Sequence, residues 1–386
     1  MKNDPENIHA TALVIDGHAD TPQRFVDEAW NFTDPLGSGM LNLESARAGN
    51  LAAEFFAIWV EPKEWRGRFA HRTLQLLDGV YRQLQLHPES MRLGLAAEDV
   101  IRAHRDKVFC VLLGIEGGHS IEADLGLLRM YYQLGVRYMT LTWSNSNEWA
   151  DSSGDLDDTS ILHHGGLTDF GRDVVREMNR LGMMIDVSHA ADSTFWQVLQ
   201  STHAPVIASH SSARALTDSP RNLTDEQLRA IATNDGVVMV NFYPAFIDTA
   251  WRDGWAATKA ERDSFHAAKT KSYKDRGMPV PYDASMSADR EYYSNFLKDK
   301  LPLAPFSALI DHIDHVAQVA GIDHVGLGSD FDGFPILPKG LNSAADLTKI
   351  TAALIERGYG KEQLKKLLGG NLLRVFGAVQ AKAAIA

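Results

Sequence analysis

The residues most able to do chemistry sit at the ends of short apolar runs. His18 and Asp20 close the run Ala12–His18, and residues two apart on an extended strand project to the same face, so the pair can grip one cation. Glu116 closes a second run inside Gly114-Ile115-Glu116-Gly117-Gly118, where flanking glycines let backbone and ligand approach closely. His189 ends Asp186-Val187-Ser188-His189, His210 ends Ala208-Ser209-His210, and Asp330 lies in Gly328-Ser329-Asp330-Phe331-Asp332-Gly333. A single histidine at a strand end is usually a hydrogen-bonded structural residue. Five coincident strand ends are not explained that way, and three imidazoles with two or three carboxylates describe a hydrolytic metal site that suits zinc. Asp16, Asp186, His119, His163, His164 and His203 are not needed for that site.

These residues must be positioned by a repeating frame. Eight strands are expected: 12–18, 51–60, 108–116, 136–143, 183–189, 205–210, 237–243 and 324–330. Amphipathic stretches between them predict helices at 68–86, 123–134, 169–181, 225–232, 306–320 and 344–356, with Thr224 and Gln227 spaced as a capping box. A last amphipathic segment, 361–376, is expected to pack on the outside. Eight βα repeats with no linker across residues 1–386 predict a single (β/α)8 barrel of the TIM type, with the active face at the C-terminal ends of the strands. Two stretches break the rhythm: the polar loop 144–167, and 244–305 after the seventh strand. The second carries Trp251, Trp255, Tyr273, Tyr282, Tyr292 and Tyr293 among many charges. An insertion of that length on the active face is expected to serve as a lid, specificity loop or subunit contact.

Composition narrows the class. Of 386 residues, 50 are acidic and 38 basic, for a net charge of −12, and no basic block occurs. That balance argues against a nucleic-acid or anionic membrane partner. With fifteen histidines and Cys110 as the one cysteine, any metal site must use imidazole and carboxylate, and no intrachain disulfide is possible. The opening MKNDPENIHATALVIDG lacks a basic-then-apolar leader, and no apolar run approaches the roughly 20 residues that span a bilayer. A cytoplasmic protein is expected if Met1 is the native start.

The ordered motifs HAD, GIEGGHS, DVSH, SHSSAR and GLGSDFDG resemble those of the renal (membrane) dipeptidase family of metal-dependent amidohydrolases, from about Leu13 to Gly377. The resemblance implies a binuclear zinc dipeptidase. His18 and Asp20 would bind one Zn2+, His189 and His210 a second, and Glu116 would bridge them. A hydroxide between the two metals would attack the peptide bond of L-Xaa-L/D-Xaa dipeptides, with Asp330 as proton shuttle. Arg221, eleven residues after His210, would grip the substrate carboxylate, a role suited to a planar guanidinium. A homodimer is also implied.

Two positions depart from the family pattern, the lesser being Ala19 between His18 and Asp20, where relatives read Asn. Where relatives read Thr-His after the fourth strand, this chain has Thr142-Trp143-Ser144-Asn145. Trp143 offers only an indole N–H and cannot carry a proton. It would also narrow the pocket, and Asn145 or Asn147 could take over as donor to the oxyanion. The change leaves open a different small amide or ester substrate, such as an N-acyl amino acid, lactone or cyclic amide. A weakly active metal-binding protein is the remaining alternative.

Overall fold

A computed structural model describes residues 5–277 and 284–383. Tyr282 and Met1 lie outside the described residues. Nine parallel strands form the sheet: β1 (Val14–Ala19), β2 (Leu51–Trp59), β3 (Met91–Leu93), β4 (Phe109–Glu116), β5 (Val136–Thr140), β6 (Met184–Asp186), β7 (Val206–Ala208), β8 (Val237–Asn241) and β9 (Val325–Gly328). Eight of them close into a barrel in the order β1, β2, β4, β5, β6, β7, β8, β9 and back to β1. The ring closes where β2 pairs with Cys110–Glu116 of β4. The unexpected β3 is three residues long and pairs with the start of β4. It carries little apolar signal of its own, which is why the pattern of strands does not reveal it.

Helices cover the barrel as their periodicity predicts, with Asp169–Leu181 and Phe306–Ala320 matching to the residue. Thr224 accepts from the Gln227 amide N–H at 3.2 Å and the Gln227 side chain accepts from Thr224 N–H at 2.8 Å, completing the capping box. The end of the chain differs from expectation. The helix Asn371–Ala383 sets Leu372, Val375, Phe376 and Val379 against Ile15, Phe55, Leu112, Tyr138, Met184, Ile207 and Met239, residues drawn from seven strands. It plugs the end of the barrel opposite the site instead of lying only along its flank.

The strands are shorter than the apolar runs that announce them. His189 lies three residues beyond β6, and His210 and Asp330 two beyond β7 and β9. His189 and Asp330 adopt left-handed backbone, with φ of 63° and 62°. That conformation ends the ladder and turns each side chain over the barrel mouth, at a steric cost that L-residues accept at functional turns. The inserted segment after β8 folds as helices Pro244–Ile247, Thr249–Ala257, Lys259–Asp275 and Ala284–Tyr292. It has its own small core of Ala245, Trp251, Trp255, Tyr292, Tyr293, Leu297 and Ala304. Among the described residues, no helix is long and apolar enough to cross a membrane.

Candidate metal centre and substrate pocket

Asp20, Glu116, His189, His210, Asp330, Arg221 and Trp143 all line one cavity of about 270 Å³ at the C-terminal mouth of the barrel. His18 lies beneath it, fully buried. The structure thus brings together eight of the nine residues singled out from the sequence. Asn145 is the exception: it does not line the cavity, and its amide donates to Ser146 O at 3.2 Å. Asn147 is committed to loop structure, donating to Leu141 O and accepting from Trp149 and Ala150 N–H.

The hydrogen bonds around the imidazoles decide which nitrogen faces the cavity. Tyr138 Oη donates to Gly17 O and therefore accepts from His18 Nδ1–H at 2.8 Å. Ser209 Oγ donates to Asp186 at 2.5 Å and accepts from His210 Nδ1–H at 2.7 Å. His189 Nδ1 reaches Ser144 Oγ at 3.3 Å. All three Nε2 atoms are left to point at the acids. His18 Nε2 is buried and makes no hydrogen bond, with Glu116 Oε2 at 3.3 Å and Asp20 Oδ2 at 3.7 Å. Glu116 Oε1 lies 3.0 Å from His189 Nε2 and 3.4 Å from His210 Nε2, and those two nitrogens stand 3.0 Å apart.

Ligand atoms of His18, Glu116 and His210 lie close enough to hold one ion, as do those of His18, Asp20 and Asp330. Without metal, the three carboxylates place their demand for positive charge on His18. Burial opposes that charge, yet Glu116, Asp20 and Asp330 carry the imidazole up to about 10. His189, dominated by burial and then by the Arg221 charge, falls to about 3. Burial followed by Glu116 lifts Asp330 to about 6, against the pull of His18, Asn241 and Arg221. A buried set of three imidazole Nε2 atoms and three carboxylate groups, with His18 Nε2 left without a hydrogen-bond partner, fits a metal of the imidazole–carboxylate class.

Residues that the search for histidines and acids did not mark hold the centre in shape. Asn241, at the end of β8, donates to Asp330 Oδ2 at 3.0 Å. Gly333 is required where it stands, because a Cβ there would overlap both Asp330 Oδ1 and Asp20 Oδ2. Asp16 and Asp186 are buried clamps beneath the ligands, accepting from Ser329 and Ser209 respectively. The spacing of Asp16 from His18 and of Asp186 from His189 was the one available signal for them. His119 donates from Nε2 to Val60 O and is structural. Arg221 is buried, with Nη2 donating to His210 O at 3.0 Å and Nη1 to Ser211 Oγ at 3.1 Å, while Nε has no partner. Trp143 packs against Trp59 with ring centroids 4.9 Å apart and forms wall.

Residues 3–385 match the family model described as membrane dipeptidase, peptidase family M19. The chain is 32% identical over 378 residues to Dipeptidase 3 of Rattus norvegicus, with 95% of this chain and 65% of that protein covered. It is 33% identical over 384 residues to an uncharacterized dipeptidase of Schizosaccharomyces pombe, covering 94% and 80%. The chain therefore spans just under two thirds of the length of the rat relative. Among solved structures, the probable dipeptidase PvdM from Pseudomonas aeruginosa superposes with a TM-score of 0.81 at 28% identity, covering 98% of both chains. A metallopeptidase from Rhodobacter sphaeroides, liganded with a phosphinate mimic of the dipeptide L-Ala-D-Ala, gives 0.74 at 26% identity over 96% of this chain and 99% of that one. The chain belongs to the membrane dipeptidase family, peptidase family M19.

Proposed function

We propose that the protein is a zinc-dependent dipeptidase that binds two Zn2+ ions and hydrolyses L-Xaa-L/D-Xaa substrates. The observation that carries this reading is the convergence of three imidazole Nε2 atoms, three carboxylates and a buried arginine on one pocket at the barrel mouth. His18 and Asp20 would hold one ion, His189 and His210 the other, with Glu116 between them. Zinc bound there supplies a hydroxide nucleophile at neutral pH and polarises the scissile carbonyl.

The chain's own groups then do the rest. Asp330, held by Asn241, accepts the proton released on attack and delivers it to the leaving amine. Arg221 receives the substrate carboxylate; its unpartnered Nε gives it donor capacity beyond the bonds to His210 and Ser211. Fixing the C-terminal end this way restricts substrates to those with a free carboxylate near the scissile bond, and positioning of that kind lowers the barrier. Trp143 and Trp59 close the side of the pocket, which favours small residues beside them. The rat and yeast relatives named as dipeptidases support the same reaction. A homodimer is proposed on the family resemblance alone.

The test is amine release from L-L and L-D dipeptides by zinc-reconstituted protein, with metal counted in the same sample. Turnover with about two zincs per chain is expected. Silence across the panel with both ions bound would move the protein to another amide or ester and end the dipeptidase reading.

A further inference from the structure

Four carboxylates line the pocket: Asp20, Glu116, Asp330 and Asp289. The first three gather at the imidazoles. Asp289 does not belong to that cluster. It is carried by the inserted helix Ala284–Tyr292, which also sends Met286 into the pocket and is tied down by Arg290 donating to Ser38 O at 2.8 Å. Asp289 Oδ1 accepts from His266 Nε2 at 2.8 Å and from Arg262 Nη1 at 3.2 Å. Both donors belong to the neighbouring inserted helix, and the Arg262 guanidinium lies 4.0 Å over the buried Trp255 ring. Oδ2 accepts from neither of them. The carboxylate is thus tied back into the insertion through one oxygen, on a residue that lines the pocket.

A dipeptide brings two charges to this space. Arg221 answers the carboxylate, but an ammonium taken out of water needs a matching acceptor or its burial is costly. The remaining lining is largely aromatic: Trp59, Trp143, Tyr243, Phe246 and Phe334. Such faces tolerate a cation but do not fix its direction. Among the described residues, Asp289 is the one pocket carboxylate not gathered at the centre. We infer that Asp289 is a specificity-determining residue whose carboxylate receives a substrate ammonium, either the α-ammonium of the N-terminal residue or the side-chain ammonium of a basic one. The inference rests on the dipeptidase reading above.

The experiment uses the full zinc-loaded chain with Ala-Ala, norleucyl-Ala and Lys-Ala as substrates. A charge-assisted hydrogen bond is worth roughly 1.5–3 kcal/mol, so Asp289→Asn should lose roughly 10- to 100-fold in kcat/KM, mainly through KM. Asp289→Glu should recover part of the loss. An equal loss on all three substrates assigns the α-ammonium, and a loss confined to Lys-Ala assigns the side-chain ammonium. Unchanged kcat/KM on all three, in a variant with parental melting temperature and metal content, overturns the assignment. Should Asp289→Asn fail to fold, Asp289→Ser on the same substrates decides by the same criteria. Failure of the dipeptidase reading looks different, because the parent enzyme itself would then release no amine from any of the three.

Discussion

Two clamps beneath the metal centre are built alike and behave differently. In one, Asp16 of β1 accepts from Ser329 N at 2.7 Å and from Ser329 Oγ, and the next residue is Asp330. In the other, Asp186 of β6 accepts from Ser209 N at 2.8 Å and from Ser209 Oγ at 2.5 Å, and the next residue is His210. Each fixes the backbone and hydroxyl of a serine so that the following side chain is delivered to the mouth. Asp186 also accepts from Ser188 N and Thr140 Oγ1, so its carboxyl group meets four donors. Asp16 has no such surplus and stands in register with a second acid, Glu54 of β2. Burial lifts Asp16 to about 6, with the Ser329 bonds opposing. Burial, followed by the Asp16 charge, holds Glu54 well above the usual carboxylate range. The same two serine hydrogen bonds are therefore joined by two further donors on one side and faced by a second buried acid on the other.

The largest effect should come from the side chain that the Asp16 clamp delivers. Asp330→Asn is expected to remove roughly 10²–10⁴-fold of turnover while zinc content stays near that of the parent. Metal analysis beside the amine assay checks this, and joint loss of metal would make Asp330 a primary ligand. Next comes Gly333→Ala, whose new methyl must push Asp20 and Asp330 apart. A displacement near 1 Å can cost about 10²-fold, so a fall of that order in kcat is expected at parental stability.

The two clamps can then be compared directly. Asp186→Asn should weaken zinc retention against a chelator by roughly 10–100-fold, since it replaces one of the two acceptor oxygens behind the Ser209–His210 chain. Asp16→Asn should do markedly less, because burial already holds the Asp16 carboxyl above the usual carboxylate range beside a second acid. Equal losses from the two substitutions would erase the distinction.

The smallest effect concerns Glu54. Its folded pKa lies above the ordinary value of 4.5, so its contribution to stability is fully present below about pH 4.5 and is lost as pH rises toward the folded value. Glu54→Gln should therefore raise stability on the alkaline side by roughly 1–3 kcal/mol and leave the acid side nearly unchanged. Denaturant midpoints of both proteins between pH 5 and pH 9 measure the widening gap.

Much of this architecture is legible in the residues. The alternation of apolar runs with amphipathic stretches predicts the barrel because period-2 and period-3.6 patterns are local properties of the chain. Histidines and acids at strand ends predict the centre because barrel topology brings every strand end to one mouth. Asn241 and Gly333 were passed over for a different reason. An amide and a glycine carry no metal-ligand signature, and their importance is a matter of distance to Asp330. Asn145, which seemed able to replace the missing histidine, turns its amide to a neighbouring carbonyl. Adjacency in sequence does not fix where a loop side chain points.

By itself, then, the sequence pointed to the barrel class and to His18, Asp20, Glu116, His189 and His210 as the imidazoles and acids that gather at its mouth, with the long insertion beside them. Those follow from residue type and from periodicities of a few residues. Tertiary structure alone decided which imidazole nitrogen faces the cavity, the unequal donor sets of the two clamps, and the arrival of Asp289 in a pocket built by strands far from it in sequence. Each of these depends on groups more than twenty residues apart coming within hydrogen-bonding or Coulombic range, and only the closed fold sets those distances.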